Sequence, residues 1–194
     1  MPMSRIAIAL AFLFFPTIAA AQTSAAEAPT REALRATLAE HRAAHLAELR
    51  RYAEAGAFPI NDVQPGLLRV FEDPTSGDLC AVANLIASDR QRALVDATAA
   101  TDNHISLIDV HEGPLYDWIL SSGFTQEEID RIQEPDFYIE VDMEQQVRDR
   151  AIQRERHRLQ RALNRTLARL ERSTARSLDL AVDRLLSSRE TASS

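Results

Sequence analysis

The chain has 194 residues, a net charge of −7, 45% hydrophobic residues and a single cysteine, Cys80. One cysteine excludes an intramolecular disulfide scaffold, so the fold has to rest on its apolar core. All 22 basic residues are Arg, so the choice of Arg over Lys carries no weight at any single site.

Arg5, the apolar run Ile6–Phe15 and the small-residue run Ala19-Ala20-Ala21 read as a signal peptide over residues 1–21, with an A-x-A site before Gln22. This predicts an exported protein, periplasmic or secreted. Residues 22–29 read as a flexible linker. Thr30 is a candidate N-cap for a helix to Ala55, closed by Gly56. The apolar runs Leu67–Asp73 and Leu79–Ile86, separated by "PTSGD", predict a hairpin. Asp89–Ala100 predicts a helix and His104–Val110 a third strand. Gly113-Pro114 opens another helix, since Pro suits a first turn. Thr125-x-x-Glu128 is a capping box for a short helix to about Gln133. In "DFYIEVDM", Phe137, Ile139, Val141 and Met143 alternate with polar neighbours as a fourth strand would. A long helical pattern follows from Glu144 to about Arg189, weakened near Thr174.

The expected fold class is therefore α+β. A small, mainly antiparallel sheet of three or four strands would be covered by helices within residues 30–142. A long amphipathic Arg-rich C-terminal helix would occupy residues 143–190 and pack its leucines onto the domain.

Three places could carry chemistry. In "NHISLIDVHEGPLYDW", a strand places Asp109 and His111 on one face, with Glu112 and Asp117 at a helix start. His111, aided by Asp109, is then a candidate base or ligand, against the plainer reading of polar residues at a strand end. In "HRAAH", His41 and His45 fall at i and i+4 on the apolar stripe of the first helix, with Leu34, Leu38, Leu49 and Tyr52. That spacing suits two ligands on one zinc, with Cys80, His104 or His111 completing the set. Arg42 stands where the H-E-x-x-H protease motif needs Glu, so a zinc protease is excluded. The plainer reading has both rings facing the core. Cys80 in an apolar run reads as a small buried hydrophobe rather than a nucleophile or an intermolecular disulfide.

The third place is the C-terminal helix. Arg150, Arg154, Arg158, Arg161, Arg165, Arg169, Arg172 and Arg176 recur every three or four residues, opposite a leucine stripe, over about 39 Å. Residues 22–142 carry 22 acids and 9 Arg, whereas residues 143–194 carry 12 Arg and 7 acids. Like charges at i, i+4 repel, so the ridge is expected to have a counterpart. One is the chain's own acidic portion, or that of a second copy in a homo-oligomer. Another is an acidic protein surface or a polyanion: nucleic acid, anionic lipid head groups or envelope polysaccharide. Residues 143–194 contain no aromatic residue to enter a membrane boundary.

The favoured reading is a non-enzymatic binding protein that contacts an anionic partner through Arg154, Arg158, Arg161, Arg165 and Arg169. The rival is a metal-binding protein or metal-dependent enzyme using His41, His45 and His111. A coiled structural assembly ranks below both, because Thr174 and Ser177 interrupt strict heptads. The chain holds no Gly-rich phosphate loop, nucleophile elbow or complete metal motif. The first testable expectation is a mature N-terminus at Gln22; N-terminal sequencing of exported protein checks it, and a chain beginning at Met1 would refute it.

Overall fold

The computed structural model describes residues 29–61, 66–133, 136, 138–140 and 143–192. These form helices α1 (Arg31–Ala55), α2 (Ala81–Ser88), α3 (Arg92–Thr101), α4 (Gly113–Ser121), α5 (Gln126–Gln133) and α6 (Gln145–Ala192), with one 3-10 turn at Leu107–Asp109. The expected signal peptide and most of the expected linker fall outside the described residues, as do Phe137, Val141 and Asp142.

Helix ends follow local chemistry. The Thr30 hydroxyl accepts from the Ala33 N–H, and Gly56, at φ 67°, closes α1 by donating to the Tyr52 carbonyl. Thr125 and Glu128 form the reciprocal capping box: each backbone N–H donates to the other's side chain. Helix α6 runs unbroken through Thr174 for 48 residues, about 72 Å at helical rise. The Thr174 hydroxyl returns to the Leu170 and Glu171 carbonyls within the helix, so it does not break it.

Helices α1 and α6 run antiparallel along their shared length. Arg31 pairs with Asp183 at 2.5 Å, Arg35 with Asp179 at 2.8 Å, and Arg50 with Glu171. The shorter helices close over this pair. Leu159, Leu163, Leu167 and Leu170 of α6 share one core with Leu49 of α1, Leu85 of α2, Ile119 of α4 and Ile129 of α5.

The expected sheet is absent, which overturns the α+β assignment. Among the described residues the only β-type pairings are two isolated bridges, Glu72 with Leu79 and Asn61 with Tyr138. The run "LCAVANLI" is apolar except for Asn84 because it leads into α2, where Ala81, Val82, Ala83, Leu85 and Ile86 are all buried, with Cys80 Sγ accepting the Ala83 N–H as its N-cap. A short apolar run cannot be divided between strand and buried helix by periodicity, and alanine favours the helix.

Residues 105–110 are not a strand either. Gln126 Nε2 donates to the carbonyls of Leu107, Ile108 and Val110 at 2.6–3.0 Å. Gln133 donates to the Ile105 carbonyl and accepts from the Leu107 N–H. Asn103 likewise accepts from the Glu72 N–H and donates to the Glu72 carbonyl. Side-chain amides thus satisfy backbone groups that a neighbouring strand would otherwise satisfy.

The turn between α4 and α5 depends on one glycine. Gly123 has φ +81°, and a Cβ there would lie 2.2 Å from the Leu38 carbonyl oxygen and 2.9 Å from the Arg42 backbone nitrogen. Gly123→Ala is expected to destabilise the protein by about 3 kcal/mol or more, from a left-handed backbone and a clash with helix backbone. Chemical denaturation measures it; a change below about 1 kcal/mol would refute this account.

Candidate functional site

The centre of the "HRAAH" stretch is Arg42, which is 1% exposed. Arg42 stands one turn from each of the buried Leu38 and Leu46 along α1. It makes a two-pronged pair with Glu128 of α5 at 2.7 and 2.9 Å, and also donates to the carbonyls of Gly123 and Leu170. Its charge sits 4.7 Å from the Phe124 ring centre. Glu128 in turn accepts from the Ser173 and Ser177 hydroxyls and the Thr125 N–H. Burial pushes the Glu128 carboxyl up, but bonds from Arg42 and Ser177, the Arg42 charge and the Thr125 N–H outweigh it and hold the group below its ordinary value.

The two histidines meet the end of α4. His41 is exposed, contrary to the expectation that both rings face the core, while His45 is buried. His41 Nδ1 donates to the Ser121 carbonyl at 2.7 Å and His45 Nδ1 to the Ser122 carbonyl at 2.9 Å. The i, i+4 spacing therefore matches two successive carbonyls at a helix C-terminus, where orphan acceptors need donors. His45 Nε2 is bonded to Asp89 Oδ2 at 2.9 Å, and the same oxygen accepts from Trp118 Nε1 at 2.8 Å. Both His45 nitrogens are thus engaged by protein groups.

His111 lies apart from this cluster. It is exposed, meets the Tyr116 ring edge to face, and lines an open groove of about 760 Å³ with Glu112 and Asp117. Glu112 precedes α4 without a side-chain capping bond, and Asp109 ends the 3-10 turn. His104 Nδ1 bonds the Arg69 carbonyl at 2.6 Å. Among the described residues no group of three or more His, Cys, Asp or Glu is placed to hold one metal ion, so His41, His45 and His111 are not brought together. Burial pushes the Cys80 thiol up to about 11, which keeps it protonated and a poor nucleophile.

The arginine ridge of α6 behaves differently from these interior groups. Its arginines are exposed except Arg158, which is half-buried. Arg158 bonds Glu155 on its own helix and the Asp136 carbonyl. Arg150, Arg154, Arg161, Arg165, Arg169, Arg172 and Arg176 make no hydrogen bond or ion pair with any described residue. The acids that could have met them are engaged elsewhere: Glu171, Asp179 and Asp183 by the arginines of α1, and Glu155 by Arg158. Among the described residues no helix is long and apolar enough to cross a membrane.

Two points of the sequence reading need revision here. Arg42 carries the strongest interior interaction, and its position midway between Leu38 and Leu46 on the apolar stripe was the available signal. The Leu-for-His exchange that a purely core-facing pair would tolerate is now expected to be costly. His45→Leu leaves the Ser122 carbonyl without its donor, and should cost about 1–3 kcal/mol in chemical denaturation. His41→Leu, at an exposed ring, should cost less than His45→Leu; the reverse order would contradict these roles.

Arg42→Met should destabilise by about 3–5 kcal/mol, since Glu128 is left charged and buried. Adding Glu128→Gln should recover part of that loss, because it removes the buried charge and its one amide oxygen still accepts from the Ser173 and Ser177 hydroxyls, although the Thr125 N–H loses its acceptor. The lowered Glu128 value also fixes a sign. Its contribution is complete above the ordinary carboxylate range and is lost as pH falls through that range into the lowered folded value. Denaturation midpoints of wild type and double variant should therefore converge in acid; parallel curves would show that the pair carries no pH dependence.

No protein-family model, curated protein or solved structure matches this chain.

Proposed function

We propose that this protein is an exported, non-enzymatic binding protein that holds a linear acidic polysaccharide along the arginine ridge of α6. The observation that supports it most is the seven ridge arginines without a partner among the described residues, on a helix three of whose acids, Glu171, Asp179 and Asp183, are paired by α1. Self-pairing, the plainer alternative, accounts only for Arg158. The ridge follows one side of one helix for about 39 Å, so it presents a single row of charge. A row suits a linear chain better than the paired backbones of a duplex. The helix offers no Phe, Tyr or Trp on which bases could stack or which could enter a lipid boundary. The expected export of the chain points the same way, towards an envelope or extracellular polymer.

A guanidinium can do this work because its planar fork donates two parallel bonds to a carboxylate or sulfate group. A polymer also gains from releasing its counterions, so binding should weaken steeply with salt. The test is retention on immobilised heparin across a salt gradient, with duplex DNA and anionic vesicles as comparison arms. Wild type should be retained at low salt, and Arg154→Gln/Arg161→Gln/Arg165→Gln should elute earlier with a shallower salt slope. The triple variant should keep its helix content and melt within about 0.5 kcal/mol of wild type, since these side chains touch no partner and Gln is a good helix former. No retention at low salt, or tighter binding to DNA or vesicles than to heparin, would refute the polysaccharide assignment. A loss of stability in the variant would instead show that the ridge is paired within the protein.

A further inference from the structure

Beside the ridge, α6 meets α5 across an open cleft of about 400 Å³, within the range of about 300–1,000 Å³ usual for small-ligand sites. Arg169 and Arg176 form one wall, two helical turns or about 10 Å apart. Arg131, half-buried on α5, faces the same space. None of the three makes a hydrogen bond or ion pair with a described residue. Two carboxylates also line the cleft, and they differ. Glu128 is neutralised from beneath by Arg42 and saturated by hydroxyl donors. Glu127 makes no ion pair among the described residues; its own backbone N–H and the Thr125 hydroxyl, helped by the nearby Arg184 charge, hold its carboxyl below the ordinary value. Leu180, 47% exposed, adds an apolar surface beside Arg176.

Three unpartnered guanidinium groups, one ionised carboxylate and one apolar patch make a mixed site. A simple anion would use the arginines but would be repelled by Glu127. A sugar acid uses all of them: its charged group meets the arginines, its hydroxyls donate to Glu127, and its C–H face covers Leu180. We infer that this α5–α6 cleft takes one acidic sugar residue of the polymer, bound through Arg131, Arg169, Arg176 and Glu127. This rests on the polysaccharide reading of the ridge, but Arg131 and Glu127 stand on α5, off the ridge, so the two can be separated.

The experiment is isothermal titration of the full chain with glucuronate, glucose 6-sulfate, glucose and inorganic sulfate, in parallel with heparin retention. Glucuronate or glucose 6-sulfate should bind at least about tenfold more tightly than glucose or inorganic sulfate, and the tighter of the two identifies the acid group. Arg131→Gln should lower that affinity about tenfold or more while heparin elution shifts little. Arg131→Lys, which keeps the charge but loses the fork, should fall between, and guards against a folding defect in the first variant. Glu127→Gln should narrow the preference for the sugar acid over inorganic sulfate. Equal binding of sulfate and sugar acids would overturn the sugar assignment, and an unaltered affinity in folded Arg131→Gln would overturn the site. Heparin retention without sugar-acid binding would overturn the cleft and leave the ridge standing. Sugar-acid binding without heparin retention would support the cleft and refute the ridge.

Discussion

The buried Arg42–Glu128 pair is the constraint on which the arrangement of helices depends. Desolvating two charges costs several kcal/mol per ion unless their bonding is nearly complete. Here it is: the guanidinium is bonded by Glu128 and by the Gly123 and Leu170 carbonyls, and the carboxylate by two hydroxyls and a backbone N–H. The partners come from α1, α5, α6 and the turn before α5. Along α1 and α6 this polar layer divides the apolar contacts in two. The main core, with Leu46 and Leu170, lies on one side, and a small cluster of Leu38, Leu178, Ala181 and Val182 on the other. Sliding α1 by one turn along α6 would set Arg42 against leucine and leave Glu128 charged and unmet. The apolar stripes alone would resist such a slip far less, because leucine follows leucine along both helices.

That register has a consequence at the surface. With Arg42 fixed opposite Leu170 and Thr174, the first helix places Arg31, Arg35 and Arg50 beside Asp183, Asp179 and Glu171. These exposed pairs contribute little stability each. Their effect on charge distribution is larger, because they engage acids on α6 before the ridge arginines reach them. The chain is acidic as a whole, yet one helix side stays positive along most of its length. The buried pair and the exposed ridge are thus linked through helix register rather than through direct contact.

Much of the helical organisation was legible locally. Thr30, Gly56, Gly113-Pro114 and the Thr125–Glu128 box mark helix ends by chemistry that acts over three or four residues, and each stands where that chemistry puts it. The strands were not legible, for reasons specific to three segments. "LCAVANLI" lacks a polar face because α2 is surrounded, and no periodicity survives full burial. Residues 105–110 alternate in sequence, but a 3-10 turn occupies Leu107–Asp109, and the Ile105, Leu107, Ile108 and Val110 carbonyls and the Leu107 N–H bond Gln126 and Gln133, which stand one heptad apart on α5. A pattern of apolar residues carries no trace of that substitution of side chain for strand. The histidines misled for a related reason: i, i+4 spacing fits two metal ligands and also fits two carbonyls at a helix end.

The same contacts bear on where function can reside. A group engaged at every donor and acceptor cannot also bind a substrate without breaking what it holds. His45 has both nitrogens engaged, Glu128 accepts from four residues, and the Cys80 thiol is held protonated by burial. Chemistry at any of these would compete directly with folding. The ridge and the α5–α6 cleft are the opposite case. Their guanidinium groups carry several N–H donors each, and, Arg158 apart, nothing among the described residues accepts from them. In water such groups are satisfied, so their exposure costs the fold little beyond mutual repulsion. Their free bonding capacity is available to a polymer whose acidic groups can replace that water along a row. The bonded polar groups of the interior specify the structure, and the exposed guanidinium groups are the ones whose bonding the fold does not use.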